Sequence, residues 1–479
     1  MTSMQNPFRF RATALLLALA LALAGCAVGP AYQPPVVQTP VAFKEGQGEW
    51  VKAVPADTLE RGPWWQLFND PELDQLESQV EVSNQNVAAA VAAYAQARAL
   101  VAEQRAALFP VVNLNGGASR SGGENSQNGT RSVRTSYQVS IGASWEPDVW
   151  GRLGRAVTGA EAGAQASEAD LQSAKLSAQG ELAVDYFNLR VLDALIALQT
   201  QTIAGYQRNL RITQNRYNAG IVARTDTLQA QTQLSNAQAD LLGLQHQRAV
   251  LEHAIAVLVG KAPSELTLAE RPDWQGTVPD VPFGVPSTLL QRRPDVAAAE
   301  RRTAQANEQI GIAQAAYFPS FPLSGSAGLG AASIGDLFRA SSLVWSLGAS
   351  LAQTLFDAGA RGARIEGARA GLEQAAAHYR QTVLTAFQSV EDQLNASRLL
   401  QQQLALRQDA LAAANLVEQQ VLNRYEAGQV NYTEVITAQV TAQNARRSVA
   451  QAVADRHVAA VSLIQALGGG WRGFQDTTR

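Results

Sequence analysis

One stretch of this chain occurs twice, and that duplication limits the folds open to the sequence. The residues Asn215 to Val222 return as Asn423 to Val430, an offset of 423 − 215 = 208 residues. Upstream, Leu108 to Pro110 returns as Tyr317 to Pro319, with the offset changed by one. A gapped duplication of this length predicts two copies of one structural unit.

Each copy carries an Ala-Gly pair between two long runs rich in Ala, Gln and Leu. This pattern predicts a helical hairpin in each copy, with tight turns at residues 217–222 and 425–430. Gly220 and Gly428 are expected to end the first helix of each hairpin in the left-handed conformation that glycine tolerates. Two unrelated helix ends would not explain a similarity that extends well beyond the turn.

The composition favours long helices in close contact over a compact enzyme core. The 479 residues are 46% hydrophobic but only 6% aromatic, and Ala, Gln, Glu, Leu and Arg recur at helical spacing. The 38 basic and 41 acidic residues give a net charge of −3 without any basic run. Nucleic acid is therefore not expected as a partner.

The beginning of the chain has the pattern of a secreted lipoprotein. Residues 1–25 hold two arginines followed by a short apolar run, which predicts a signal peptide. The run ends in Leu23 to Cys26, which resembles a bacterial lipobox, and Cys26 is the only cysteine. We expect lipid attachment at Cys26, followed by a lipid-anchored extended linker over residues 26–70. By resemblance to such lipoproteins, Ala27 after the cysteine indicates the outer membrane.

Two pairs of segments alternate with a period of two, which predicts four β-strands near residues 111–120, 136–147, 321–330 and 343–355. One face of these strands is apolar, and the other carries small or polar residues such as Ser140 and Ser346. Strands of this length and polarity, with aromatic residues near an end, are typical of a membrane barrel. A single strand of this kind would also fit a half-buried soluble sheet. The predicted lipid-facing positions are Tyr137, Val139, Ile141, Trp145, Trp345, Leu347 and Leu351.

Four strands cannot close a barrel, and an open sheet edge is not tolerated in lipid. Other chains must therefore complete the barrel. Two chains would give eight strands, whose interior side chains fill, whereas three would give twelve strands around a lumen. We therefore expect a homotrimer.

The helices predicted between the strands are unusually long. Residues 151–215 contain no proline, and 215 − 151 + 1 = 65 residues of continuous helix would measure about 95 Å. A helix-compatible run also precedes the first strand, from Glu72 to Leu108. The resulting organisation is repeat 1 over residues 71–262, a Pro-rich linker over 263–287, repeat 2 over 288–469 and a tail over 470–479.

The chain resembles the TolC-like outer membrane factors, and within them the lipoprotein branch of OprM-like channels that serve RND-type tripartite efflux pumps. The resemblance covers essentially the whole mature chain. The residues that carry it are the lipobox at Cys26, Trp64 to Phe68 with Asp70-Pro71, Leu290 to Val296, Ile310 to Ala313 with Phe318-Pro319, and both Arg-Tyr-x-Ala-Gly turns.

The resemblance implies an α+β fold in which a trimeric, shared twelve-stranded barrel continues into an antiparallel α-helical coiled-coil barrel. It implies a location in the outer membrane, with a lipid anchor and an extension into the periplasm. The implied partners are a periplasmic adaptor and an inner-membrane RND-type pump. No cofactor is expected, apart from the covalent N-acyl and S-diacylglycerol lipid on Cys26.

The sequence predicts no catalytic site and no metal site. His246 and His253 lie seven residues apart on one helical face, without the carboxylates of a metal centre. We find no nucleophile paired with a base, so the protein is not expected to be an enzyme.

The sequence is consistent with three functions that involve no enzymatic chemistry. The first is an exit duct that conducts small toxic compounds delivered by a pump. The second is the outer-membrane duct of a type I protein secretion system, and the third is a trimeric strut without a pore. The strands disfavour the strut, and the resemblance favours efflux.

The hairpin turns are the predicted docking site for the adaptor, because their tips recur as quasi-equivalent surfaces. The docking residues are expected to be Arg216, Tyr217, Gly220, Arg424, Tyr425 and Gly428. Just before the second turn, Glu418 and Leu422 are candidates for a periplasmic constriction, since side-chain rings can narrow and select in a pore.

Overall fold

A computed structural model describes residues 28–40, 42–45, 63–124, 131–279, 281 and 292–470. The predicted signal peptide, Cys26 and parts of both linkers lie outside the described residues, as does the tail from residue 471 onward.

Each copy contains a helix, two strands, a very long helix and a shorter return helix. The elements are α1 (Pro71–Ser83), α2 (Gln85–Ala106), β1 (Val111–Glu124), β2 (Arg131–Trp145), α3 (Arg152–Asn218), α4 (Arg224–Leu258), α5 (Pro294–Ala315), β3 (Leu323–Ala331), β4 (Leu343–Ala349), α6 (Ala360–Glu426) and α7 (Tyr432–Ala466). Among the described residues, no helix combines the length and apolar character needed to cross a membrane.

The duplication extends to the lengths of the helices. Helices α3 and α6 have 67 residues each, and α4 and α7 have 35 each. Helices α2 and α5 have 22 residues each. The bounds repeat at an offset of 360 − 152 = 208 for the long helices and 294 − 85 = 209 for the shorter pair.

The helix-compatible run from Glu72 to Leu108 is not one helix, because the chain breaks it at Asn84. Asn84 has extended backbone (ψ 125°), and its Oδ1 accepts from the backbone N–H groups of Asn86 (2.9 Å) and Val87 (3.1 Å). Its Nδ2 donates to the carbonyl oxygen of Leu258 at 2.8 Å. The side chain therefore caps the second helix while it satisfies the end of α4.

The four strands form one antiparallel sheet in the order β1-β2-β3-β4. Its strand lengths differ from the predicted ones, since β1 continues to Glu124 and β2 begins at Arg131. Residues 121–124 and 131–135, which lie outside the predicted strands, extend this hairpin because backbone pairing needs no apolar side chain.

Strand β4 is shorter than predicted and ends at Ala349, so Leu351 lies beyond it. The Ser350 N–H donates to the carbonyl oxygen of Pro322 at 3.1 Å, but Pro322 has no N–H to continue the ladder. Past this point, only an isolated bridge joins Ser320 to Ala352.

The chain forms two compact units, and the first contains the sheet together with residues 94–166 and 299–379. In this unit the Arg155 guanidinium pairs with the Glu308 carboxylate at 2.8 Å, and both side chains are largely buried. The rings of Trp150 and Phe318 stack with centroids 4.8 Å apart, close to the end of β2.

The second unit holds most of the two hairpins and a compact aromatic core. The rings of Phe68, Phe187 and Trp274 surround His457, with centroids 6.3, 4.8 and 5.1 Å from its ring. Next to this core, the fully buried carboxylate of Asp193 accepts from Arg190 and Arg248, so that its charge is compensated.

Candidate functional site

The register of the sheet divides the strand residues into two faces. One row across all four strands contains Leu114, Ile141, Ala327 and Trp345. The same face carries the predicted positions Tyr137, Val139, Trp145 and Leu347, since side chains alternate along each strand.

The residues that the structure describes leave this apolar face uncovered. Ile141 is 55% exposed and Leu347 is 81% exposed, although both are large and hydrophobic. Tyr137 is half-buried, and the Trp145 indole donates from Nε1 to the carbonyl oxygen of Leu108 at 2.9 Å. A continuous exposed patch of this kind marks an interaction with apolar surroundings.

The opposite face of the sheet is small and polar. One of its rows contains Asn113, Gly142, Ser326 and Ser346, and the hydroxyl groups of the two serines are 2.8 Å apart. Side chains of this type suit contact with water, whereas the apolar face suits contact with an apolar environment.

Both outer strands of the sheet are open edges within the described chain. Among the residues that the structure describes, β1 pairs only with β2, and β4 pairs only with β3. Their free backbone N–H and C=O groups can be satisfied in a membrane only by further strands.

The two hairpin turns have the same backbone. Gly220 (φ 72°) and Gly428 (φ 75°) both adopt the left-handed conformation. The Gly220 N–H donates to the Tyr217 carbonyl oxygen at 2.9 Å, and the next N–H donates to the Arg216 carbonyl oxygen at 2.8 Å. The second turn repeats both bonds at 2.9 and 2.8 Å. This pair of bonds defines the Schellman motif, as the Ala-Gly pattern predicts.

The side chains at the two turns differ. Tyr425 is 4% exposed, whereas its counterpart Tyr217 is 38% exposed. The Tyr425 ring packs on Tyr432 with centroids 5.5 Å apart. The Arg216 guanidinium lies over the Tyr425 ring at 4.7 Å and donates to the Tyr425 carbonyl oxygen at 2.9 Å. Tyr425 and Arg216 therefore hold the two hairpins together, while Tyr217 and Arg424 remain at the surface.

The sequence pattern of the family described as "Outer membrane efflux protein" matches residues 76–261 and 285–469. The chain belongs to the outer membrane efflux protein family. It is 30% identical to the toluene efflux pump outer membrane protein TtgC of Pseudomonas putida, over 94% of this chain and 93% of TtgC. It is 31% identical to the pyoverdine export outer membrane protein OpmQ of Pseudomonas aeruginosa, over 89% of this chain and 91% of OpmQ.

The fold agrees with this assignment. The solved structure of the outer-membrane channel OprN matches with a TM-score of 0.86 at 30% identity, covering 93% of this chain and 100% of that one. Members of the family are outer-membrane transport channels and not enzymes. The predicted outer-membrane location, the role as an exit channel for efflux and the absence of enzymatic activity are thereby confirmed.

Both candidate constriction residues, Glu418 and Leu422, make contacts with other residues of the same chain. The Glu418 carboxylate accepts from Arg446 (Nη2–Oε2, 2.6 Å) and is mostly buried. Leu422 packs against the cluster formed by Tyr425 and Tyr432. Glu418 also lines a cavity of about 240 Å³ beside Tyr206.

A buried polar hub between the hairpins was not foreseen from the sequence. Gln199 is 1% exposed and donates to the Ala237 carbonyl oxygen at 2.8 Å. Its Oε1 accepts from Gln443 (2.7 Å) and Arg447 (2.9 Å). Glutamines are frequent along these helices, so the sequence offers no signal that would single out this one.

The beginning of the described N-terminal segment, residues 28–32, is fixed to the first unit. The Val28 N–H donates to the Trp150 carbonyl oxygen at 3.1 Å, and the Tyr32 hydroxyl donates to the Glu300 carboxylate at 2.6 Å. Trp150 follows the end of β2 by five residues (150 − 145 = 5). Val28 therefore lies close to the end of the sheet at which β2 ends, which we call the base of the sheet.

Proposed function

We propose that three copies of this chain form the exit duct of a tripartite efflux system. Three four-stranded sheets join edge to edge into a twelve-stranded barrel in the outer membrane. The observation that carries the proposal is a sheet with one exposed apolar face, one small polar face and two open edges. A closed barrel satisfies both edges and places the apolar face against lipid.

The cargo and the partners follow from the relatives. TtgC is named for toluene efflux and OpmQ for pyoverdine export, and both are outer-membrane components. We propose that this chain likewise conducts small compounds, which a periplasmic adaptor and an inner-membrane RND-type pump deliver. These relatives favour efflux over the duct of a type I protein secretion system.

The test of the duct is single-channel conductance of the purified protein in a planar bilayer, combined with cross-linking of adjacent chains. Leu347→Arg and Ser346→Arg make a matched pair, because the two residues are neighbours on opposite faces of β4. We expect Leu347→Arg to cost about 2–4 kcal/mol per chain and to impair assembly. We expect Ser346→Arg to assemble and to reduce conductance. Equal behaviour of the two variants, or cross-linked species that stop at two chains, would contradict the proposal.

We also propose that Cys26 carries the covalent lipid. The support is the lipobox, together with the position of Val28 beside the base of the sheet. Two residues span at most about 7 Å, so a lipid on Cys26 would start close to the bilayer surface. Labelling with radioactive palmitate should mark the wild-type chain and not Cys26→Ser, and equal labelling would exclude this anchor.

The adaptor is proposed to dock on the hairpin turns. Six tips in a trimer offer repeated weak contacts that become strong together. Tyr217 and Arg424 supply exposed side chains, Gly220 and Gly428 shape the turns, and Tyr425 and Arg216 support them from inside.

We also propose that Glu418 and Leu422 form a constriction at the periplasmic entrance, which conductance measurements can test. If these side chains narrow the periplasmic entrance, Glu418→Ala and Leu422→Ala channels should conduct more than the wild type. Unchanged conductance in both variants would mean that Glu418 and Leu422 do not narrow the entrance and make only the internal contacts described above.

A further inference from the structure

Each face of the sheet carries a single charged side chain among those that the structure describes. On the apolar face this is Arg120 in β1, and on the polar face it is Arg134 in β2. The remaining polar-face residues with described side chains are asparagine, glutamine, serine, glycine and two valines. A lone arginine on a face of neutral side chains dominates the electrostatic potential there.

Both arginines lie in one part of the sheet. Strand β3 ends at Ala331, opposite Tyr137, and the β1–β2 hairpin continues beyond that row. In this extension Arg134 is opposite Ser121, and Arg120 is opposite Thr135 in the adjacent row. The two arginines are therefore in adjacent rows of the sheet, on opposite faces.

The charge of Arg134 is not compensated by the described residues around it. Its side chain is exposed and forms no ion pair within the described part of the chain. The nearby row holds Ser119 and Ser136, whose hydroxyl groups are 2.8 Å apart. The β3–β4 connection at the same end of the sheet contains Asp336, but Arg339 pairs with it at 3.0 Å.

We propose that Arg134 is a selectivity determinant at the outer mouth of the channel. This inference rests on the proposed function, in which three sheets form one barrel with the polar faces toward the lumen. The extension is at the end of the strands away from the helices, so it lies at the extracellular exit. Three Arg134 side chains form a ring of positive charge there, and the ring favours the passage of anions over cations.

Arg134 also separates two classes of cargo by charge. Anionic compounds gain a local attraction at the last step of their exit, while cationic compounds meet a barrier. Screening limits the reach of such a ring to about 30 Å at 0.01 M salt and about 3 Å at 1 M. The selectivity is therefore expected at low salt and should vanish at high salt.

The experiment measures reversal potentials of the full-length channel in planar bilayers under a KCl gradient centred near 10 mM. R134Q is expected to shift the chloride-to-potassium permeability ratio about threefold toward potassium, and R134E is expected to shift it further. R120Q removes the same charge from the adjacent row on the opposite face, outside the lumen, and it is expected to shift the ratio clearly less than R134Q does. Near 1 M KCl, all four channels are expected to coincide.

A second measurement uses the assembled channel and does not depend on how well a charge variant folds. In R134C, a cationic methanethiosulfonate reagent should restore the wild-type ratio, and an anionic one should move it toward potassium. The wild type treated in parallel controls for reaction elsewhere. An R134Q ratio equal to that of R120Q, or no effect of reagent charge on R134C, would overturn the role of Arg134. If the wild type forms no pores at all, it is the proposed duct that fails.

Discussion

The two hairpin turns share one backbone and differ in what their side chains do. Gly220 and Gly428 have nearly the same φ angle and the same pair of backbone hydrogen bonds. Yet Tyr425 is buried and Tyr217 is exposed. Duplication has kept the main-chain geometry of the turn while the neighbourhood of each tyrosine has diverged.

A single position on the return helices accounts for much of the difference. Tyr432 begins α7 and packs on Tyr425, whereas the position 208 residues earlier is Arg224, which is exposed. Tyr425 therefore has an aromatic partner that the first turn does not offer to Tyr217. Arg216 then covers the Tyr425 ring from the other hairpin. The comparison indicates that Tyr425 belongs to a structural joint between the hairpins, whereas its counterpart Tyr217 lies at the surface.

The largest expected effect is the loss of the buried ring. Tyr425→Ala removes an aromatic side chain from a packed cluster and should destabilise the hairpin tip by about 3–5 kcal/mol. Hydrogen–deuterium exchange of the backbone amides in α6 and α7 near the turn measures this local opening. Tyr425→Phe is the control, because the Tyr425 hydroxyl is buried without a partner among the described residues. Phenylalanine should therefore be neutral or stabilising, and a large loss in that variant would show that the hydroxyl, not the ring, holds the joint.

The next effect tests the cation that covers this ring. Arg216→Gln removes the cation–π contact and the charged hydrogen bond to the Tyr425 carbonyl oxygen, and it should destabilise the tip by about 2 kcal/mol. The equivalent change in the other copy, Arg424→Gln, should cost little because Arg424 is exposed. Similar exchange rates in both variants would mean that the two turns are energetically alike.

The duplicated helices and the polarity of the strands could be predicted from the sequence because both depend on local periodicity. A pattern of apolar and small residues determines which side chains share a face, whatever the strand packs against. The different burial of Tyr217 and Tyr425 could not be predicted, because it depends on a contact between Tyr425 and Tyr432 in the following helix. The same reason applies to Asn84, whose role as a helix break needs the distant carbonyl of Leu258.

A smaller effect tests whether the backbones of the turns are equivalent. Gly220→Ala and Gly428→Ala each place a Cβ on a residue with positive φ, which costs about 1–2 kcal/mol. No atom lies within 4 Å of an added Cβ at Gly220, and at Gly428 the nearest is Arg216 Nη2 at an ordinary 3.8 Å. The penalty should therefore be equal in the two turns. Hydrogen–deuterium exchange at the tip of each hairpin, measured in the two single variants, gives this penalty. An unequal penalty would mean that the two backbones are constrained differently.

The smallest effect on stability, and the most specific one on function, is expected at Tyr217. Because 38% of this residue is exposed, Tyr217→Ala should change the stability of the tip by no more than about 0.5 kcal/mol. If the first turn is a docking surface, the variant should still assemble and conduct normally but should lose cross-linking to the adaptor. Tyr217→Phe keeps the ring and separates contact by the ring from hydrogen bonding by the hydroxyl. Full cross-linking of a well-assembled Tyr217→Ala channel would remove Tyr217 from the docking site. Reduced assembly in the same variant would instead mean that Tyr217 is covered in the trimer, as Tyr425 is covered within its own chain.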